Sequence, residues 1–270
     1  CFGSRPSKLF DNADVRVALL TGHRGERSRS SGQHGGQIRT SRFRLFTEAT
    51  RRERFETLSY APTTGLVLRD WIGDGGENGI LPKVGTEIVR GLLCRLRDGG
   101  ERRETDGRYR RFCDVYERDP AAVDGDTHSV WRREGVRYWI NPMLDELYEA
   151  REVEPIHFQT ERDRHTAFLV LQSSLYAVYW MAYGNQHHHT WTQLSAFPWP
   201  TRDRIETHGP EIDDLAERLW NGMRATYTET GRGHGTFSMG QLRPLVDEVD
   251  ELVGDLYGLS ESEIAFTKGY

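Results

Sequence analysis

Residues 167 to 183, "AFLVLQSSLYAVYWMAY", form the most apolar window of a 270-residue chain and decide how the rest is read. Gln172, Ser173 and Ser174 interrupt the window, and it lacks the flanks of a spanning helix or signal peptide. The stretch is therefore expected to be a buried core helix over residues 164 to 183, inside a protein with a mean hydropathy of -0.69. Neither a membrane protein nor a secreted disulfide scaffold fits. The three cysteines, Cys1, Cys94 and Cys113, match no CxxC zinc spacing and suit reduced thiols in a cytoplasmic protein.

Downstream of the window stand His187, His188 and His189. Adjacent side chains diverge by ~100° on a helix and alternate faces on a strand, so only His187 and His189 could share an ion, and only in extended geometry. No HExxH, paired carboxylate or cysteine accompanies them. They are expected on a polar exit loop, with a metal-dependent hydrolase using His187, His189 and an acidic partner as the alternative chemistry. "FPWP" (197–200) then ends regular structure. Beyond it Ile212, Leu215, Leu219, Trp220 and Met223 recur at helical spacing, as do Leu245, Val246, Val249, Leu252, Val253 and Leu256. Pro244 and Gly258 bracket the second of these helices, and "SESE" from Ser260 is a capping box for one more.

Upstream, "VWRREGVRYWI" (130–140) reads as two short β segments turning at Arg133-Glu134-Gly135. "TEIVRGLLCRLR" is a helix capped by Thr86, with Ile88, Leu92, Leu93 and Leu96 on one face. "VRVALLTG" (15–22) is a short β run before a Gly/Ser/Arg loop. "GDGGENG" (73–79) and "GRGHG" (231–235) are turns, since neither follows a strand and opens a helix at nucleotide-loop spacing. The fold class expected is α+β, a mixed body followed by a helical segment.

Charge is uneven along the chain. Residues 1 to 60 carry 12 Lys/Arg against 6 Asp/Glu, while residues 201 to 270 carry 7 against 14. Lys8, Lys83 and Lys268 are the only lysines, so arginine supplies nearly all the positive charge. Its planar fork suits phosphate and guanine edges. Arg39, Arg42 and Arg44 precede a helix, and Arg132, Arg133, Arg137, Tyr138 and Trp139 form a basic-aromatic cluster suited to phosphate and base edges. The D…(D/E)xK nuclease pattern, a G-x-S-x-G elbow and an (N/D/S)PP(Y/F) methyltransferase loop are all missing; "INPM" (140–143) is the nearest approach to the last.

The order of blocks adds a resemblance. "GSRPSKLFDNADVRVALLTG", "RTSRFRLFTEATRRERFETL", "LPKVGTEIVRGLLCRL", "GVRYWI", "LVLQSSLYAVYWMAYGN" closing on "FPWP", and "VDEVDELVGDLYGLSESEIAF" resemble the C-terminal half of restriction-modification DNA adenine methyltransferases. The class is the one carrying a TaqI-like specificity domain, often fused to an endonuclease. The resemblance implies that residues 1–45 end the catalytic domain, 46–200 form the target-recognition domain and 201–270 a helical support. It also implies that S-adenosylmethionine and the catalytic loop belong to an upstream catalytic domain of the same polypeptide, before Cys1, making this chain a fragment. Double-stranded DNA is the expected partner. Arg5 and Lys8 would lie near the domain junction, Arg39, Arg42 and Lys83 on phosphates, and Arg132, Arg133, Arg137 and Tyr138 near base edges. A protein-interaction module docking through the acidic tail is the remaining alternative.

Overall fold

The computed structural model describes residues 38–42, 50–68, 79–102, 109–136, 139–148, 153–184, 188–230 and 234–270. The fold is α+β, with small antiparallel pairs beside a helical assembly. The chain divides into two compact units at Cys94/Arg95. The boundary expected near Pro200 does not appear as a break, because the C-terminal helices pack on the elements that precede it.

In the first unit, β1 (Arg39–Thr40) pairs antiparallel with β2 (Ala61–Pro62), and α1 (Arg51–Glu56) lies between them in sequence. Thr40 ties the pair to residues 82–85. Its hydroxyl donates to the Pro82 carbonyl (2.6 Å) and accepts from the Val84 N–H (3.1 Å), and the Gly85 N–H donates to the Thr40 carbonyl (3.0 Å). Gly85 has φ +76, and a Cβ there would meet the Arg42 backbone nitrogen at 2.5 Å, so only glycine fits. Helix α2 (Glu87–Gly99), within which the chain passes from the first unit to the second, starts as expected, with Thr86 Oγ1 accepting from the Val89 N–H. Leu92, Leu93 and Leu96 are buried, but Ile88 is 41% exposed and lies outside the apolar stripe.

The second unit centres on the apolar window at residues 167–183. The window is two helices rather than one: α3 (Glu161–Gln172) and α4 (Ser174–Tyr183), separated by Ser173 in extended conformation. The Ser173 hydroxyl donates to the Val170 carbonyl (2.7 Å) and accepts from the Tyr176 N–H (3.1 Å), so one short side chain closes the first helix and caps the second. Both halves are enclosed nearly all round. Helix α3 packs on the β3–β4 pair and on two later helices, α7 (Gly209–Thr226) and α8 (Arg243–Tyr257); α4 packs on α8 and on α9 (Glu261–Lys268). Two short helices, α5 (Trp191–Ala196) and α6 (Arg202–Thr207), fill the interval between α4 and α7.

Strand β3 (His128–Arg133) pairs in register with β4 (Val153–Phe158), placing Ser129 opposite His157 and Arg132 opposite Glu154. The tight hairpin expected at Arg133-Glu134-Gly135 is therefore not formed. The partner strand comes from further along the chain, while Trp131 bridges Met143. "FPWP" does more than stop structure. Phe197 and Trp199 carry a ladder to residues 101, 110 and 112, and Pro198 and Pro200 take the alternate positions where no N–H is needed. Phe112, Phe158, Phe197 and Trp199 are fully buried there, with Phe112 edge-on to Trp199 at 5.2 Å.

The C-terminal helices begin and end where the sequence indicates. Pro244 occupies the first turn of α8, and Gly258 closes it in the left-handed region. The Gly258 N–H bonds the Asp255 carbonyl and the Leu259 N–H bonds the Gly254 carbonyl, a Schellman closure that the Arg204 guanidinium reinforces at the Asp255 carbonyl. Ser260 and Glu263 make the expected capping box of α9. Between α7 and α8, however, β5 (Tyr227–Thr230) and β6 (His234–Phe237) pair as a hairpin inside the helical segment, where only a turn was expected at 231–235.

Asp250 of α8 fastens the helix break. Its buried carboxylate accepts from the Ser174 N–H (2.6 Å) and hydroxyl (2.7 Å), serving as a tertiary cap for α4. Burial raises its pKa, and the two bonds from Ser174 oppose that rise. Asp250→Ala orphans two buried donors and is expected to lower unfolding free energy by ~2–3 kcal/mol in urea titrations. Asp250→Asn, whose amide can still accept from one donor and give to the hydroxyl oxygen, is expected to lose only ~1 kcal/mol.

Candidate functional site

Arg39, Arg42 and Lys83, expected on phosphates, fall on one stitched element of the first unit, through the hydrogen bonds that join Thr40 to residues 82–85. Arg39 is exposed and spends one N–H on the Tyr60 carbonyl (2.9 Å), while Arg42 and Lys83 are half-buried. Arg5, Lys8, Arg137 and Tyr138 lie outside the described residues.

The two remaining arginines separate. Arg133 is half-buried on the outer face of β3 and hydrogen-bonds Tyr148, whose ring stacks on Tyr227 at 6.0 Å. Arg132 follows Val130 on the inner face and is 1% exposed, so the base-edge role expected of it is corrected by the structure. The pleat explains this: successive side chains point to opposite faces, and the inner position falls under α5 and the segment before it. Arg132 gives one nitrogen to the His189 carbonyl (2.6 Å) and another to Glu154 (2.8 Å), its cross-strand partner. Its guanidinium carbon lies 3.7 Å from the centroid of the Trp191 ring. Burial weakens its hold on its proton and Glu154 opposes that effect, so an ion with this ordinary pKa stays charged.

Trp191, absent from the sequence-derived set, is the hub of the cluster. The Tyr116 ring sits 5.9 Å away, tilted 31°, with its hydroxyl 3.0 Å from the Ser195 hydroxyl. A second guanidinium, that of the exposed Arg118, lies 4.1 Å from the Trp191 centroid. Arg118 follows Glu117, whose backbone exchanges two hydrogen bonds with His157 of β4 (2.8 and 2.9 Å). Asp119, next in sequence, caps the 3-10 turn Pro120–Ala122 by accepting from the Ala121 N–H. The only local signal was an Arg in a polar loop and a Trp after a Thr; their pairing is tertiary.

His189 is fully buried rather than on a polar exit loop. Its Nε2 lies 2.6 Å from the Tyr176 hydroxyl. Burial pushes the phenol well above its usual range, and Nε2 is its only partner among the described residues, so the phenol donates to Nε2 and the ring proton belongs on Nδ1. Nδ1 has no hydrogen-bond partner among the described residues. Burial first, and then the Arg132 charge, lower the imidazole pKa to about 3. With Nε2 taken up by a phenol, His189 is a packing group and a poor ligand. His187 lies outside the described residues. Among those described, no three His, Cys, Asp or Glu side chains converge as a metal site, and no helix is long and apolar enough to cross a membrane.

The acidic tail is partly neutralised by its own bases: Arg218 bridges Asp214 and Glu248, and Lys268 pairs with Glu251. Compared with protein-family models, curated proteins and solved structures, the chain matches none of them.

Because His189 stays neutral in the folded state, the unfolded chain takes up a proton below pH ~6.5 that the folded chain refuses. Stability is thus lost as pH falls from ~6.5 toward 3, by ~2 kcal/mol at pH 5 from this group. Denaturation at pH 7 and pH 5 checks this. His189→Gln, which does not titrate, should show a drop smaller by that amount.

Proposed function

We propose that this chain is the DNA sequence-recognition part of an adenine-specific methyltransferase of the restriction-modification type. The intact protein would transfer a methyl group from S-adenosylmethionine to an adenine turned out of the duplex. Among the described residues the sheets are two-stranded and antiparallel, which does not fit a strand–glycine loop–helix cradle for that cofactor. No step of the transfer is assigned to these residues, and the reading is confined to gripping DNA.

One observation carries it from the structural side. Lys83 is some forty residues from Arg39 and Arg42 in sequence yet shares one short element with them, held by the Thr40 hydrogen bonds. A cluster of this kind suits the regularly spaced charges of a duplex backbone, where each phosphate neutralised releases condensed counterions. The block order that resembles the methyltransferases supports the choice of DNA over another polyanion. Buried Arg132 supports the scaffold, and Arg133 is the base-edge candidate that remains within the described residues.

Duplex binding measured by fluorescence anisotropy between 50 and 200 mM salt tests the reading. Three phosphate contacts predict a slope of log K against log salt of at least about -2.7, and the variant R39Q/R42Q/K83Q should flatten it by about that amount. No binding, or binding indifferent to salt, overturns the proposal.

A further inference from the structure

Arg118 differs from most arginines of its unit. Arg95, Arg110, Arg132, Arg162, Arg202 and Arg218 are each held by a carboxylate. Arg118 is exposed, and no carboxylate among the described residues reaches it; its recorded contact is the face of Trp191. Contact with a ring face holds a guanidinium in place without consuming any of its five N–H donors. The charge is therefore positioned but not neutralised.

Its seat is rigid. On one side of Arg118 the Glu117 backbone is locked to His157 of β4, and on the other Asp119 caps a short turn. Trp191 is itself held by Arg132, which is neutralised by Glu154 and anchored to the His189 carbonyl, and by the Tyr116 ring. The ordering cost of presenting a long flexible side chain has thus been met in the fold, which is how preorganisation raises affinity. The donors and the charge call for a weakly hydrated anion with several acceptor oxygens, and a phosphodiester meets that description.

We infer that Arg118, stacked on Trp191, is a backbone-phosphate contact of the duplex. This rests on the DNA-recognition reading above and adds a residue that reading did not contain. Trp191 is a positioning residue, since it acts through the guanidinium.

The test compares the wild-type chain with R118Q, R118K and R224Q by anisotropy on two duplexes of unrelated sequence across the same salt range. Arg224 is the control: it too is exposed with no carboxylate partner among the described residues, but has no aromatic seat. R118Q is expected to bind about 5- to 20-fold more weakly at low salt on both duplexes and to reduce the salt slope by about 1. R118K should keep the slope and lose part of the affinity, because charge survives while the oriented fork does not. R224Q should bind as wild type. Wild-type binding that R118Q leaves unchanged overturns this inference and spares the reading it rests on. Loss confined to one duplex would mean a base contact and overturns the phosphate assignment. If the wild type shows no salt-sensitive binding, both fall together. Far-UV circular dichroism of the exposed-site variants should match wild type throughout.

Discussion

The carboxylate of Asp250, buried in α8, accepts both the N–H and the hydroxyl of Ser174, and the shape of the larger unit depends on that pair of bonds. A helix running unbroken from Glu161 to Tyr183 would need a full sheath of apolar partners along its whole length. Breaking it at Ser173 lets the first half take the β3–β4 pair, α7 and α8 as neighbours, while the second half takes α8 and α9. The break frees backbone donors in a dry interior, where an unmet N–H is expensive. Ser173 meets one of them locally and Asp250 meets another across the fold.

A charged pair does for the β strands what the Asp250 carboxylate does for the helices. Arg132 points into the core because it shares the inner face of β3 with Val130, and Glu154 lies opposite it in register. Removing Glu154 would leave the buried Arg132 guanidinium without its counter-charge, a cost well above the net value of the pair. The same guanidinium meets the His189 carbonyl and the Trp191 face, so strand pairing, the end of the histidine run and the seat of Arg118 share one ion. This links the core to the exposed guanidinium of Arg118.

The helical ends were legible because their signals are local. Thr86, Pro244, Gly258 and the Ser260–Glu263 box act within a turn of their own position, and the structure uses each of them as read. Pairings were less legible. Strand β4 contains Pro155, which lacks the donor expected of an inner strand, so 153–158 carried no strand signal and the partner of β3 was misplaced. The β5–β6 hairpin hid in a stretch whose glycines were read as a turn alone. Gln172-Ser173-Ser174 was visible as a polar interruption, but whether a serine breaks a helix or sits within it depends on what waits opposite, and Asp250 is distant in sequence.

By itself the sequence determined the α+β class, the buried window at 167–183, the caps of the later helices and an arginine-rich front, because composition and short-range periodicity suffice for these. Tertiary structure alone decided that the window is two helices, that Arg132 and His189 are internal, that Arg39, Arg42 and Lys83 share one element, and that Arg118 rests on Trp191. Each of these joins residues distant in the chain. Such a pairing has no local energy to betray it, and it exists only once the fold has excluded water from between the partners.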